Sequence, residues 1–188
     1  MRIIGGSHRG AKLADLAGNK TRPTADRVRE SIFNILAGGR YGLSLVNGIV
    51  LDLFAGTGAL GLEALSRGAA RAIFVENDPA ALAIVRQNIH KLRRIDDCLV
   101  IAGDATNLVK WEYGPANIVF ADAPYGTGDG LRAIASLSTI GAMMKESIAV
   151  IETGRQEELD PNILTKTNLR PVDSRHYGNA TVHFLKNR

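Results

Sequence analysis

Short runs of branched apolar residues alternate along the chain with segments of helical periodicity. The apolar runs predict five strands, at residues 49–54, 72–75, 99–102, 117–121 and 147–152. Helices are predicted between them, at residues 59–66, 79–94 and 130–144. Buried strands that alternate with helices are typical of an α/β fold with a doubly wound, mostly parallel sheet.

The two ends of the chain depart from this alternation. Residues 2–13 are punctuated by glycines and predict a small hairpin or an extended arm, and residues 25–36 carry an approximately helical apolar face. Near the other end, residues 167–177 and 181–185 flank Gly178-Asn179, which predicts an antiparallel hairpin. Because the sheet begins near Ile49, we expect the chain to fold without its first twenty residues.

The turn after the first strand is the main candidate for ligand binding. Gly56, Gly58 and Gly61 follow Asp52 with the spacing G-x-G-x-x-G, and Glu76 lies twenty residues beyond Gly56. This spacing is typical of a dinucleotide site in which the acid binds the ribose hydroxyls. Asp52 argues against a dinucleotide, because a carboxylate beside the turn would repel a pyrophosphate.

S-adenosylmethionine is a second ligand that this turn would accept. Its ammonium and sulfonium groups are attracted by a carboxylate at Asp52, and its ribose also needs an acid at the position of Glu76. A glycine turn without any ligand is the third interpretation.

The turn after the fourth strand carries candidate catalytic chemistry. An amino group on a nucleobase is a poor nucleophile, because its lone pair is delocalised into the ring. The Asp122 side chain and the Ala123 carbonyl could accept its hydrogens, and Asp122 could take up the proton released by methyl transfer. Pro124 keeps the preceding residue extended, and Tyr125 offers a face for base stacking. The alternative is a tight turn that only ends a strand.

Two further residues have less specific signals. Asp104 follows the third strand and would either cap the next helix or accept a hydrogen bond from an adenine amino group. Cys98 is the single cysteine and begins an apolar run, which favours a buried thiol. One cysteine excludes an internal disulfide and a multi-cysteine metal site, and we expect no metal.

Charge is concentrated at the start of this 188-residue chain, which is otherwise of ordinary globular composition. Residues 1–40 hold eight lysines and arginines against three acids and so carry a net charge of +5. The remaining residues carry −1, which gives the total of +4. A basic arm on a near-neutral domain is typical of a polyanion-binding protein, although a solvated basic surface has the same composition. The absence of a signal peptide or long apolar span favours a cytoplasmic protein.

These motifs together resemble a known family. Asp-Leu-Phe-Ala-Gly-Thr-Gly at residues 52–58, followed by Asp-Ala-Pro-Tyr at residues 122–125, is similar to class I S-adenosylmethionine-dependent amino-methyltransferases. Residues 2–6, 9–10, 21–24 and 26–30 resemble one family in particular. It is the RsmD family, bacterial guanine-N2 methyltransferases of small-subunit (16S) ribosomal RNA. The match runs from the arm through the fifth strand.

The resemblance implies a seven-stranded, mostly parallel sheet with an antiparallel final hairpin. It implies a methyltransferase domain at residues 41–188 and, at residues 1–40, a basic arm and helix that contact RNA in the assembling small ribosomal subunit. S-adenosylmethionine would be the cofactor. Its expected contacts are Asp52, Phe54, Gly56, Gly58, Glu76, Asn77, Asp104 and Ala105. The expected catalytic residues are Asp122, Ala123, Pro124 and Tyr125. The expected RNA contacts are Arg9, Lys12, Arg22, Arg27 and Arg29.

One position departs from the family pattern. The resemblance implies Asp-Pro-Pro followed by Tyr or Phe, and this chain has Ala123 in place of the first proline. The carbonyl is kept and the ring that fixes φ is lost, so we expect a more mobile loop. Three other functions remain open: methylation of adenine N6, a nicotinamide-dependent oxidoreductase, and an RNA chaperone that binds the cofactor without turnover.

Overall fold

The computed structural model describes residues 1–16, 23–42 and 44–188. The strands are β1 (Ile49–Leu53), β2 (Arg71–Glu76), β3 (Cys98–Ala102), β4 (Ala116–Ala121), β5 (Met143–Gly154), β6 (Leu169–Tyr177) and β7 (Ala180–Asn187). The helices are α1 (Pro23–Ala37), α2 (Ala59–Ser66), α3 (Pro79–Lys91), α4 (Asp129–Thr139) and α5 (Pro161–Thr165). Within the described ranges, none of the helices has both the length and the apolar character needed to cross a membrane.

All seven strands form one sheet, in the order β3-β2-β1-β4-β5-β7-β6. Strands β1 to β5 pair in parallel, and β7 pairs antiparallel with both β5 and β6. This confirms the predicted mostly parallel α/β sheet with an antiparallel final hairpin. The prediction for α4 was wrong at its end, because Gly141 adopts a φ of 75° and β5 then begins at Met143.

Alternate residues of each central strand face opposite sides of the sheet and bury two separate cores. One core contains the fully buried rings of Phe33, Phe74, Phe120 and Phe184 and is covered by α1, α2 and α3. The other contains alternate residues such as Leu51 and is covered by α4. The helices therefore fix the sheet from both sides and leave the carboxyl ends of the strands accessible.

The N-terminal arm, defined as residues 1–16, packs against the domain. Arg2 and Lys12 form an antiparallel bridge, which is the predicted small hairpin. Ile3 and Leu13 are 1% and 6% exposed and share the core of Phe33. Burial of these side chains argues against folding without the first twenty residues, and that expectation stays a prediction.

A buried carboxylate anchors the arm to α2. Glu63 is fully buried and accepts hydrogen bonds from the backbone N–H groups of Ile4 (2.7 Å) and Gly5 (2.8 Å). Arg67 Nε donates a third bond at 2.7 Å, and Ser66 Oγ donates to the Gly5 carbonyl at 2.6 Å. A buried charge that loses its partners costs about 3–5 kcal/mol, so α2 depends on the arm.

Replacement of Ile3 by alanine tests whether the arm belongs to the core. We expect Ile3→Ala to lower the free energy of unfolding by about 2–5 kcal/mol, as for other buried aliphatic side chains. Urea denaturation followed by circular dichroism measures this change. Ile95→Ala is the matched control, since Ile95 is 52% exposed, and should cost less than about 0.5 kcal/mol. Equal effects of the two substitutions would contradict the prediction.

Candidate functional site

A cleft of about 240 Å³ opens at the carboxyl ends of β1, β4 and β5. The sheet side contributes Asp52, Phe54, Ala55, Gly56, Thr57, Ala59, Leu60, Asp122 and Glu152. The arm and α1 contribute Met1, Asp15, Leu16, Ala25 and Arg29. The glycine turn and the turn after β4 therefore meet in one cleft, at the sheet edge where ligands bind in such folds.

The three glycines of the turn after β1 serve different needs. Gly56 and Gly58 adopt φ values of 55° and 76°. A Cβ atom at Gly58 would lie 2.5 Å from Val85 Cγ2, and one at Gly61 would lie 2.4 Å from Phe74 Cε1. At Gly56 the nearest atom would be 3.9 Å away. Two glycines thus allow close packing of α2, and Gly56 leaves the backbone open to a ligand.

Phe54 occupies a strained position within the same turn. Its φ of 57° is rare for a bulky residue and costs about 1–2 kcal/mol. Backbone hydrogen bonds hold the turn closed, from Ala55 N to the Val75 carbonyl (3.1 Å) and from Gly58 N to the Ala55 carbonyl (2.7 Å). Such strain clusters at functional sites, where it fixes groups before a ligand arrives.

Glu76 is fixed at the edge of the glycine turn by backbone donors. Its Oε2 accepts the Gly56 N–H at 2.8 Å, and its Oε1 accepts those of Asn77 and Asp78 at 2.8 and 2.9 Å. A carboxylate oxygen has two acceptor positions, so Oε2 retains one. Glu76 and Asn77 lie at the end of β2, next to the cleft but not among its lining residues.

Asp104 caps the short 3-10 turn that follows β3. It accepts hydrogen bonds from the backbone N–H and the Oγ1 of Thr106, at 2.8 and 2.7 Å, and from Asn107 Nδ2 at 2.7 Å. These bonds favour the charged form, so they lower the pKa of Asp104. Of the two roles considered for Asp104, the structure shows the cap. The adenine contact, like that of the buried neighbour Ala105, stays a prediction.

Asp52 joins β1 to the first turn of α2. It is 2% exposed, and its Oδ2 accepts the Gly61 N–H at 2.8 Å. Burial raises the pKa of Asp52 to about 8 against the opposing effect of that bond, and the charges of Asp122 and Glu76 add to the rise. A positive charge in the cleft would oppose this rise, because it favours the charged form of the carboxyl.

The loop of residues 122–128 places the candidate catalytic groups beside Glu152. Asp122 is exposed at the cleft. Partial desolvation by the surrounding protein, and then the charge of Glu152, raise its pKa above its ordinary value. Ala123 is buried and Pro124 is exposed. Tyr125 is half exposed, and its hydroxyl donates to Glu152 Oε1 at 2.5 Å.

Glu152 is a site residue that the sequence analysis missed. It also lines a second pocket of about 430 Å³, together with Tyr125 and the β6–β7 turn at Tyr177, Gly178 and Asn179. Its position could have identified it, because Glu152 ends the fifth predicted strand, at the sheet edge where Glu76 and Asp122 follow the second and fourth.

The charge of the cleft is predominantly negative. Among its lining side chains, four are carboxylates, namely Asp15, Asp52, Asp122 and Glu152, and one is a guanidinium, that of Arg29. Asp15 was also missed, because nothing in its sequence context predicts that the arm covers the cleft. A cleft of this composition favours a cationic ligand and disfavours a pyrophosphate.

The expected RNA contacts are placed differently from one another. Three of them are exposed cations, namely Arg9, Lys12 and Arg27. Arg29 is 5% exposed, lines the cleft, and donates to Asp26 (2.8 Å) and to the Arg2 carbonyl (2.9 Å). Arg22 lies outside the described residues. Contact of these five side chains with RNA stays a prediction.

Known proteins are similar to this chain in both sequence and fold. The family described as conserved hypothetical protein 95 matches residues 1–186. YlbH of Bacillus subtilis (strain 168) is 40% identical over 168 residues, which are 87% of this chain and 88% of that protein. Ribosomal RNA small subunit methyltransferase D of Escherichia coli (strain K12) is 39% identical over 153 residues, 81% of this chain and 74% of that protein. The solved structure of Escherichia coli YhhF has a TM-score of 0.82 and 33% identity, and the match covers 100% of this chain and 98% of that one.

Alanine substitutions at two neighbouring glycines test the geometry of the turn. Both positions have positive φ, so each substitution costs about 1–2 kcal/mol of backbone strain. Only Gly58→Ala adds a collision, with the stiff Val85 side chain, which costs about 1–3 kcal/mol more. We expect the free energy of unfolding, measured by urea denaturation, to fall by more in Gly58→Ala than in Gly56→Ala. Equal losses would contradict the turn geometry.

Proposed function

We propose a function from one premise: the chain belongs to the RsmD family, described as conserved hypothetical protein 95. In this proposal the protein transfers a methyl group from S-adenosylmethionine to the exocyclic N2 amino group of a guanine in small-subunit ribosomal RNA. The observation that supports it best is the meeting of the glycine turn and the Asp122 loop in one negatively charged cleft.

The cleft fits S-adenosylmethionine in three respects. Its carboxylates attract the sulfonium and ammonium charges of the cofactor. The backbone at Gly56 is open to close approach. Glu76 Oε2 can accept one more hydrogen bond, which suits a ribose hydroxyl. When bound, the cofactor supplies an electrophilic methyl group on a positively charged sulfur.

The Asp122 loop acts on the target amino group. The Asp122 carboxylate and the Ala123 carbonyl accept the two amino hydrogens, which draws the lone pair out of conjugation. Asp122 then takes up the proton that the methylated nitrogen must lose. The raised pKa of Asp122 suits this step, because a more basic carboxylate accepts a proton more readily.

The second pocket is the proposed entrance of the target base. It shares Glu152 and Ala25 with the cofactor cleft, so a base held there lies close to both Asp122 and the cofactor. Tyr125 is half exposed and offers a ring face for stacking of an unpaired base. The hydrogen bond to Glu152 holds that ring in place.

The basic residues of the arm and of α1 are proposed to bind the ribosomal RNA backbone of the assembling small subunit. Arg27 is an exposed cation of α1, the helix whose residue Ala25 lines both pockets. Arg9 and Lys12 add exposed cations on the arm, and phosphate contacts of this kind provide most of the nonspecific affinity for RNA.

Substitution of Asp122 tests the proposed reaction. Asp122→Ala should reduce methyl transfer to isolated small subunits by at least about 100-fold, the lower range for loss of a positioned proton acceptor. Cofactor affinity, measured by calorimetry, should remain nearly unchanged, because Asp122 addresses the base and the other three carboxylates of the cleft remain. Radiolabelled methyl transfer and mass spectrometry of RNA digests provide the readouts, with N2-methylguanine as the expected product.

Subunits from a strain that carries the active enzyme are the matched control, because their target base is already methylated. Methylated adenine in the digests would favour the N6 reaction over the proposed one. Tight binding without turnover would favour an RNA chaperone, and preferential binding of NAD would favour an oxidoreductase.

The affinity for S-adenosylmethionine should depend on pH through Asp52. A bound cation lowers the pKa of this carboxylate, so binding releases a proton while the free protein remains protonated. The dissociation constant should therefore fall as pH rises from about 6 toward 8, by at most about tenfold per pH unit, and level off above the free pKa.

Calorimetry across this pH range measures the effect, and Asp52→Asn is its control. The cofactor's own groups titrate identically with both proteins, so the difference between the two curves reports Asp52. Parallel curves would show that Asp52 does not respond to the cofactor charge.

A further inference from the structure

The backbone of the loop of residues 122–128 has few restraints on its dihedral angles, although this loop carries the proposed catalytic acceptors. Ala123 lacks a ring that would fix φ. Gly126 and Gly128 adopt positive φ values of 77° and 69°, so two further residues of the loop are glycines with wide conformational freedom. Within the loop, Thr127 Oγ1 donates to the Pro124 carbonyl at 2.8 Å, which closes one local turn. The Tyr125 hydroxyl donates to Glu152 Oε1 of β5 at 2.5 Å, which joins the middle of the loop to the sheet, and a second contact holds its glycine segment.

That contact is the carboxylate of Glu157, which lies after the end of β5. Its Oε2 accepts the Gly126 N–H at 2.8 Å, and its Oε1 accepts the Gly128 N–H at 3.3 Å. Oε2 also accepts the N–H of Gly154, the last residue of β5, at 3.2 Å. One side chain therefore joins the loop to the sheet through charge-assisted hydrogen bonds.

The segment that carries Glu157 is itself anchored. Glu157 N donates to the Gly154 carbonyl at 3.0 Å. Arg155 N donates to the Asn179 carbonyl at 2.9 Å, and Arg155 Nη1 donates to the Gly178 carbonyl at 3.2 Å. These bonds attach the turn of residues 154–157 to the β6–β7 hairpin, so Glu157 holds the loop from a fixed point.

We propose that Glu157 is a positioning residue, which holds the Asp122 loop in the geometry that proton acceptance requires and supplies the restraint that Ala123 does not. This inference rests on the methyl transfer proposed above. It assigns Glu157 no contact with the base or the cofactor. An acid is needed at this position because an amide has one acceptor oxygen, which cannot reproduce the bonds that two carboxylate oxygens make.

The test combines Glu157→Gln with Ala123→Pro in a double-mutant cycle. Glu157→Gln should lower kcat for methyl transfer about tenfold and leave the dissociation constant of S-adenosylmethionine unchanged, because only the loop is displaced. In the Ala123→Pro background, Glu157→Gln should lower kcat by about threefold or less. The reason is that the proline ring and the Glu157 carboxylate restrict the same motion of the loop. Glu158→Gln is the matched control, since Glu158 is the exposed neighbouring acid, and should leave kcat unchanged.

Hydrogen exchange of the peptide that covers residues 122–129 provides a readout independent of activity. Exchange should be faster in Glu157→Gln and slower again in the double variant. Unchanged exchange and kcat in Glu157→Gln, or the same loss of kcat in both backgrounds, would overturn the inference. If the unsubstituted protein transfers no methyl group, the proposed function fails, and faster exchange in Glu157→Gln would still support the restraint of the loop.

Discussion

The buried carboxylate of Glu63 is the interaction on which the candidate site depends. It takes its donors from the arm and from its own helix, so α2 can be buried only when the arm lies across it. The arm then brings Asp15 and Met1 over the glycine turn and closes one side of the cleft. Packing of the arm and the shape of the candidate cleft are therefore coupled, because the arm that Glu63 anchors also supplies part of the cleft lining.

Two features of the cleft lower the stability of the folded protein. Asp52 is buried beside other acids, an arrangement that raises its pKa and destabilises its charged form. Phe54 adds backbone strain in the adjacent turn. Both costs fall when a cation occupies the cleft, since a positive charge offsets the repulsion between the carboxylates. The two large hydrophobic cores on either side of the sheet supply the stability that this site lacks.

The sequence predicts the parts of this protein that depend on local patterns. Apolar runs identify strands β1 to β5, because a strand buried on both faces is continuously apolar. The spacing of Glu76 from the glycines predicts its place beside the glycine turn, and its contact with a ligand stays a prediction. The burial of Ile3 was not predicted, since its sequence context shows no periodicity that distinguishes a core residue from an exposed one. Glu152 and Glu157 bond to partners far away in sequence, and these contacts exist only after β5 lies beside β4.

The strand order carries a consequence for biosynthesis. Because β7 lies between β5 and β6, one edge of β5 finds its partner only after β7 has left the ribosome. Until then, a long strand with buried apolar residues such as Ile148 and Ile151 presents unpaired backbone groups, which is a template for aggregation. Interrupted synthesis would therefore yield insoluble fragments, and protection of the nascent chain should matter most during translation of β6 and β7.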